Sequence, residues 1–326
     1  MNRRIALFLS LLLALALIST ALSGCQQAAP PPPQVQESSL INPAGPLVLP
    51  VAGIENGAVK GPVAVKLSYW KSNDEAIGLL AANQADFAVL PITMGANLYA
   101  NQKDLVLLGV HEWKVFYLLA SPEVTFTNWS SLKGKSLYMP VGKGQTADIV
   151  SRLGVIKANL TPDQDVKFVY APPQEIVSLF KAGKIDFAAL PEPFVTLALK
   201  DSQGSIVLDF QQYWGEVAGA APRIPIAGLF VKKDYAAKNP QVVKDVAQTL
   251  SASTDWCNAN PDAAIEQAKN TLPLPAAVMK ASLQRMEFKY VPTAECRDEV
   301  KSYLETIQEI DPSSMKQLPD QGFYGE

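Results

Sequence analysis

From about Leu40 onward, short runs rich in β-branched and aromatic residues alternate with stretches whose apolar residues recur at i, i+3 and i+4. The short runs predict strands at Leu47–Val51, Val63–Trp70, Phe87–Leu90, Leu105–Val110 and Val115–Ala120, then at Ser136–Met139, Val166–Tyr170, Phe187–Leu190, Ile206–Asp209 and Ile224–Val231. Between them the spacing predicts helices over Asp74–Asn83, Thr146–Ala158 and Pro173–Ala182. After Val231 the strand pattern stops, and Pro240 to Ile310 reads as helical, with Pro240 and Pro261 at helix starts. Strands alternating with helices predict an α/β fold with a largely parallel sheet.

One segment recurs. Glu75 to Pro91 aligns without gaps on Glu175 to Pro191 at an offset of 100 residues, with identity at Glu75, Leu79, Ala82, Asp86, Phe87, Ala88, Leu90 and Pro91. Each copy reads helix, short turn (Asn83-Gln84 or Gly183-Lys184), Asp, strand, Pro, which predicts similar βαβ units in the two halves of the chain. Ligands of open α/β sheets sit beyond the carboxyl ends of strands. The stretches Pro91-Ile92-Thr93-Met94 and Pro191-Glu192-Pro193-Phe194 are therefore candidate site loops. Each Pro ends its strand and stiffens the next residues of the chain. Thr93 and Glu192 then either project at a cleft or belong to plain strand-to-helix connections, with Met94 and Phe194 in the core.

A third loop, Met139 to Asp148, contains Gly142-Lys143-Gly144-Gln145-Thr146 between a predicted strand and a predicted helix. Its glycines let backbone N–H groups turn toward a ligand, the helix start carries partial positive charge, and Lys143 adds a full one. That suits a carboxylate or sulfonate, although the spacing is neither a Walker sequence nor a dinucleotide fingerprint. The alternative is a helix capped by Gln145 or Thr146 with Lys143 in solvent. Trp70, Trp113, Tyr138, Tyr213 and Trp214 fall near strand ends or in the Gln211–Ala221 loop, where aromatic area closes over organic solutes as readily as it fills a core. Arg223, before the return strand, is either a partner for an anionic solute or an exposed loop arginine.

The start of the chain has a different character. Arg3 and Arg4, the apolar run Ile5–Ile18 and Leu22-Ser23-Gly24-Cys25 read as an export signal over residues 1–24, and the last four resemble the bacterial lipobox, which makes Cys25 the lipidation site. Residues 25–41, with four consecutive prolines at Pro30–Pro33, read as a tether. The expected location is the cell envelope, lipid-anchored on the outer face of the cytoplasmic membrane or in the periplasm. Loss of Arg3 and Arg4 with the signal leaves 26 basic against 31 acidic residues, a net charge of −5. So acidic a chain has no basic surface for a phosphate backbone, which argues against nucleic acid as a partner. One His and three Cys in 326 residues exclude a His-rich metal site and a disulfide-dense scaffold, and neither a metal nor a cofactor is expected.

Leu132-Lys133-Gly134-Lys135-Ser136-Leu137, the stretch Phe180–Phe194, Ile224–Val231, Asn239-Pro240 and Trp256–Asp262 together make a pattern that resembles the nitrate/sulfonate/taurine-type solute-binding proteins of ABC importers, a branch of the type II periplasmic-binding-protein fold. The resemblance implies two α/β lobes, each a mixed, mostly parallel sheet flanked by helices, with residues 42–134 and 226–326 in lobe 1, residues 135–225 in lobe 2, and the solute in the cleft between them. It matches the Gly142–Thr146 loop to an anion-receiving helix start and Glu192-Pro193 to the family's Glu-Pro. Where the family has an open loop after its first strand, this chain has Ala52-Gly53-Ile54-Glu55-Asn56-Gly57, which puts Asn56 among the candidates and leaves the solute class open. The implied partners are a small solute and the permease and ATPase of an ABC importer, with the binder a monomer that performs no bond chemistry.

The candidate ligand-binding residues are thus Asn56, Trp70, Pro91, Ile92, Thr93, Met94, Trp113, Gly142, Lys143, Gly144, Gln145, Thr146, Glu192, Trp214 and Arg223. The glycine loop leans toward a small organic anion such as a sulfonate; the aromatic supply leans toward a heteroaromatic vitamin or pyrimidine precursor. Two further readings stay open: an enzyme like the thiamine-pyrimidine synthases on the same fold, and a lipoprotein that senses a ligand for a receptor. His111, at the end of a predicted strand, lines the cleft or sits at a crossover. Cys257 and Cys296 remain as a candidate disulfide between C-terminal helices, with two buried thiols as the alternative.

Overall fold

The computed structural model describes residues 36–102, 104–140 and 142–325. The expected signal, Cys25 and the proline run lie outside the described residues.

Eleven strands form two sheets among the described residues. The first holds β1 (Glu37–Pro43), β2 (Ala64–Trp70), β3 (Phe87–Pro91), β4 (Leu105–Lys114), β10 (Ala227–Lys232) and β11 (Glu287–Pro292), in the order β11-β4-β10-β3-β1-β2. The second holds β5 (Phe116–Ala120), β6 (Ser136–Met139), β7 (Lys167–Tyr170), β8 (Phe187–Pro191) and β9 (Ser205–Asp209), in the order β7-β6-β8-β5-β9. In each, three parallel strands (β2-β1-β3 and β7-β6-β8) are followed by an antiparallel one, β10 or β5. The helices are α1 (Ala52–Glu55), α2 (Asn73–Ala81), α3 (Ile92–Gln102), α4 (Thr146–Lys157), α5 (Pro173–Lys181), α6 (Phe194–Leu199), α7 (Phe210–Ala218), α8 (Lys233–Lys238), α9 (Pro240–Ala259), α10 (Pro261–Ala268), α11 (Ala276–Ser282) and α12 (Thr293–Ile310). None of the described helices is long and apolar enough to cross a membrane.

The echoed segment is built as the repeat predicts. Helices α2 and α5 end in turns whose Asn83 (φ 54°) and Gly183 (φ 66°) take the left-handed conformation open to Asn and Gly. The echoed aspartates come next, each tying its strand to a neighbour: Asp86 accepts hydrogen bonds from the Ser39 N–H (2.9 Å) and hydroxyl (2.8 Å), and Asp186 pairs with Lys135 at 2.9 Å.

Several expectations change. Leu47–Val51 is not a strand, because Pro46 and Pro50 cannot donate to a ladder; Pro46–Val48 forms a 3₁₀ turn and the apolar run is buried without pairing. The first strand is β1, which begins within the expected tether and pairs along its whole length with β2. The C-terminal region holds one strand, β11, whose alternating Glu-Phe-Lys-Tyr-Val-Pro adds an antiparallel edge beside β4. The 211–221 loop contains helix α7, capped by the Asp209 carboxylate on the N–H groups of Gln211 and Gln212 and ended by Gly219 at φ 63°. The strand 116–120, expected within the first lobe's 42–134, pairs with β8 and β9 in the second sheet. Only Val115 separates β4 from β5, so the chain changes sheets there.

Cys257 and Cys296 are both free and buried, and they pack in different hydrophobic clusters. The candidate disulfide is therefore absent. Burial pushes their thiols up to about 12 and about 11, away from the reactive thiolate. Unreduced protein is expected to show neither thiol to a thiol reagent while native and both once denatured; a denatured count lacking both would restore the bridge.

Candidate functional site

The two sheets meet where the chain crosses between them. On the first crossing, the Val115 carbonyl accepts the Glu192 N–H at 2.8 Å. On the return, the Ile224 and Ile226 N–H groups donate to the Trp113 and Glu112 carbonyls, both at 3.0 Å, so the two crossovers run side by side. Buried Gln211 clamps the first: its Oε1 accepts the N–H groups of Val115 (3.1 Å) and Phe116 (3.0 Å), and its amide donates to the Phe116 carbonyl at 2.9 Å.

Several expected residues converge at this seam. Pro91 ends β3 opposite Ala227, and the Ile92 N–H donates to the Ile226 carbonyl at 3.0 Å, which seats the first turn of α3 at the sheet edge. From that turn the Thr93 hydroxyl donates to Gln145 Oε1, at the start of α4 on the opposite sheet, at 3.3 Å. Tyr303 of α12 donates to the Thr146 hydroxyl at 3.0 Å and packs edge-on against Trp214, ring centres 5.3 Å apart. One turn earlier on α12, Glu299 holds Arg223, whose guanidinium lies 4.2 Å from the Trp113 ring centre. Helix starts from both sheets thus face each other with α12 alongside. Ile92 and Met94 are core residues.

Other expected residues go elsewhere. Asn56 is exposed beyond α1, where its side chain accepts the Ala58 N–H at 2.9 Å and α1 packs on α9 and α10. Trp70 is buried at the end of edge strand β2, its indole N–H on the Val89 carbonyl at 3.3 Å. Lys143 makes a salt bridge with Asp311 at 3.1 Å and reaches the Ser313 hydroxyl at 3.2 Å. Although partial burial opposes it, bonds from Ser313, Ser314 and Lys143 hold the Asp311 carboxyl down at about 2. Glu192, fully buried, accepts the Thr196 N–H and hydroxyl, each at 3.0 Å, and pairs with Arg285.

The glycine loop is held from behind. Gly144 has φ 81°, and its N–H donates to Asp148 Oδ2 at 2.8 Å. Asp148 is buried and also receives the Tyr170 hydroxyl (2.6 Å) and the Arg152 guanidinium (2.9 Å); Arg152 continues to Asp163 at 2.7 Å. The loop's own carboxylate therefore takes one of the N–H groups that a free anion would use.

Sequence reasoning did not single out Glu112, and it left the place of His111 undecided. Both are buried beside the first crossover, and among the described residues Glu112 Oε1 and both His111 ring nitrogens have no hydrogen-bond partner. Burial pushes the Glu112 carboxyl up to about 8 and His111 down to about 3, so both favour the neutral form near pH 7. A cavity of about 270 Å³ lined by Arg297, Lys301, Asp320 and Tyr324 lies against α12 and the C-terminal segment, which packs on the start of β4 near Val106. Among the described residues no group of three His, Cys, Asp or Glu is placed to hold a metal ion.

Comparison with known proteins agrees with this architecture. A solved ABC transporter structure from Parabacteroides distasonis superposes with a TM-score of 0.73 at 26% identity, over 90% of this chain and 99% of that one. The periplasmic aliphatic sulphonate-binding protein SsuA of Escherichia coli superposes with a TM-score of 0.68 at 16% identity, over 89% and 96%. Residues 130–272 match the NMT1-like family. The chain has the solute-binding-protein fold. Among curated relatives, the taurine-binding periplasmic protein of Escherichia coli is 33% identical over 107 residues, 32% of this chain and 31% of that protein. The chain spans 42% of the length of the Brucella relatives it matches. The solute-binding-protein fold accounts for the paired sheets and for the placement of α3 and α4 at the seam between them.

Proposed function

We propose that this protein is the extracytoplasmic binding component of an ABC importer, capturing a small solute between its two sheets and delivering it chemically unchanged. The observation that carries the reading is the seam itself: the chain passes between the two sheets in paired, side-by-side crossovers, and the starts of α3 and α4 are brought together at Thr93 and Gln145. A solute lodged there touches both sheets at once and so favours the closed arrangement, which a permease distinguishes from the open one. Support comes from relatives and neighbours named for binding or for ABC transport. A lipid on Cys25 would hold the binder beside its permease and raise its local concentration there.

The names of the relatives put small anions forward as the solute. The ion pairs of Lys143, Arg223 and Arg285 weigh against that, because an anion would find its positive partners already occupied.

Thermal unfolding and small-angle scattering with a panel of small solutes test the function. A true solute is expected to raise the melting temperature by several degrees, as binding to the folded state must, and to shrink the radius of gyration. Chemical turnover of the bound compound, or an unchanged scattering profile with every solute that raises the melting temperature, would overturn the reading.

A further inference from the structure

Strands β1, β3 and β4 run in one direction through the first sheet, and their carboxyl ends form the edge that faces the seam. Three buried residues with unpartnered polar atoms lie near that edge: Asn42 near the end of β1, and His111 and Glu112 near the end of β4. Glu112 shares a cross-strand row with Ala227 and Pro91, directly before the turn that carries Thr93. A register shift at this point makes His111 the extra residue opposite β10. Buried carboxyl and imidazole groups almost always find partners, so unpartnered polar atoms gathered at one strand edge suit a polar guest or ordered water.

Charge separates Glu112 from its neighbours. The other carboxylates at the seam have cations: Glu299 has Arg223, Asp311 has Lys143 and Glu192 has Arg285. Glu112 has none among the described residues, although it is 4% exposed. An anion beside it would find one O–H donor at most, and only while the carboxyl stays protonated, whereas an N–H donor fills the open position on Oε1 in either protonation state.

We propose that Glu112 and His111 are solute-contacting residues and that the solute is a nitrogenous compound, uncharged or cationic, which presents N–H groups to the Glu112 carboxyl. This rests on the importer reading above and narrows its substrate class away from nitrate and simple sulfonates. The imidazole of His111 supplies one donor and one acceptor for the remaining polar edge of such a compound.

Titration calorimetry on the full chain tests it with cytosine and putrescine as nitrogenous probes and nitrate and ethanesulfonate as anionic ones. Expected is binding of at least one nitrogenous probe, weakened at least about tenfold by Glu112→Ala and by Glu112→Gln, with Lys143→Ala changing it less than about twofold. Circular dichroism melts of each variant confirm that it is folded. Tighter binding of nitrate or ethanesulfonate than of either nitrogenous probe would overturn the assignment while leaving the importer reading intact. Binding of neither nitrogenous probe, or nitrogenous binding unchanged in folded Glu112→Ala, would also overturn it. Turnover of a bound probe would instead remove the importer reading.

Discussion

Arg152→Ala is expected to destabilise the protein by roughly 3–5 kcal/mol, the range for removing one partner of a buried ion pair. The Arg152 side chain is 6% exposed and the Asp148 side chain 0%, and the guanidinium also lies 4.4 Å from the Phe168 ring centre. Deleting the arginine leaves a buried carboxylate supported, among the described residues, by the Gly144 N–H and the Tyr170 hydroxyl. Urea unfolding measures the loss directly. The double variant Asp148→Asn with Arg152→Ala is expected to lose less than the sum of the two single losses, because removing both charges removes the stranded one. Additive losses would mean that the pair is not coupled. Because Asp148 holds Gly144, Arg152→Ala is also expected to loosen the loop that carries Gln145 and Thr146 to the seam.

Glu112→Gln is expected to have the opposite sign, raising the melting temperature, and by more at pH 8 than at pH 5. Burial moves the carboxyl from its ordinary 4.5 up to about 8 in the folded state. The folded chain therefore keeps a proton that the unfolded chain gives up, so stability present below pH 4.5 is lost progressively as pH rises toward 8. The linked cost at pH 8 is roughly 3–5 kcal/mol. Gln has no proton to lose and removes this dependence. Melting curves from pH 5 to 8 check it; a wild-type minus variant difference that is flat with pH would show the carboxyl to be solvated. His111 acts from the acid side. Burial holds its pKa at about 3, so the neutral ring's contribution is full above pH 6.5 and is lost as pH falls toward 3. A solute that supplies N–H donors to Glu112 is expected to offset the alkaline loss, which ties the stability measurement to the site.

Much of the fold was legible because it is local. The echo at an offset of 100 residues located α2 with β3 and α5 with β8, and its Asn83 and Gly183 occupy the left-handed turns that those residue types suit. The signals for α7 were also present, an Asp before the helix and a Gly after it, although the aromatic content of Phe210–Trp214 made the segment read as a cleft loop. The misreading of Leu47–Val51 has a simple cause: strong apolar character outweighed Pro46 and Pro50, while β1, with polar residues at Glu37, Ser38, Ser39 and Asn42, stood beside a polar tether. The change of sheet at Val115 carried no local mark, since a strand's period of two is the same whichever sheet it joins.

The site divides along the same line. Thr93, Gln145, Thr146, Trp113, Trp214 and Arg223 were candidates from strand ends and helix starts, and the fold brings them to one seam. The partners that define their chemistry come from far along the chain: Asp311 for Lys143, Arg285 for Glu192, Glu299 for Arg223 and Tyr303 for Thr146.

By itself the sequence determined the α/β alternation, the doubled unit and the positions where loops end on rigid prolines, because these depend on residue spacing, backbone freedom and short-range caps. Tertiary structure alone decided which of those loops meet, which cations are already occupied, and that Glu112 is buried with no counter-charge among the described residues. Burial and ion pairing are set by side chains that arrive from distant elements, and a group's charge state depends on that company.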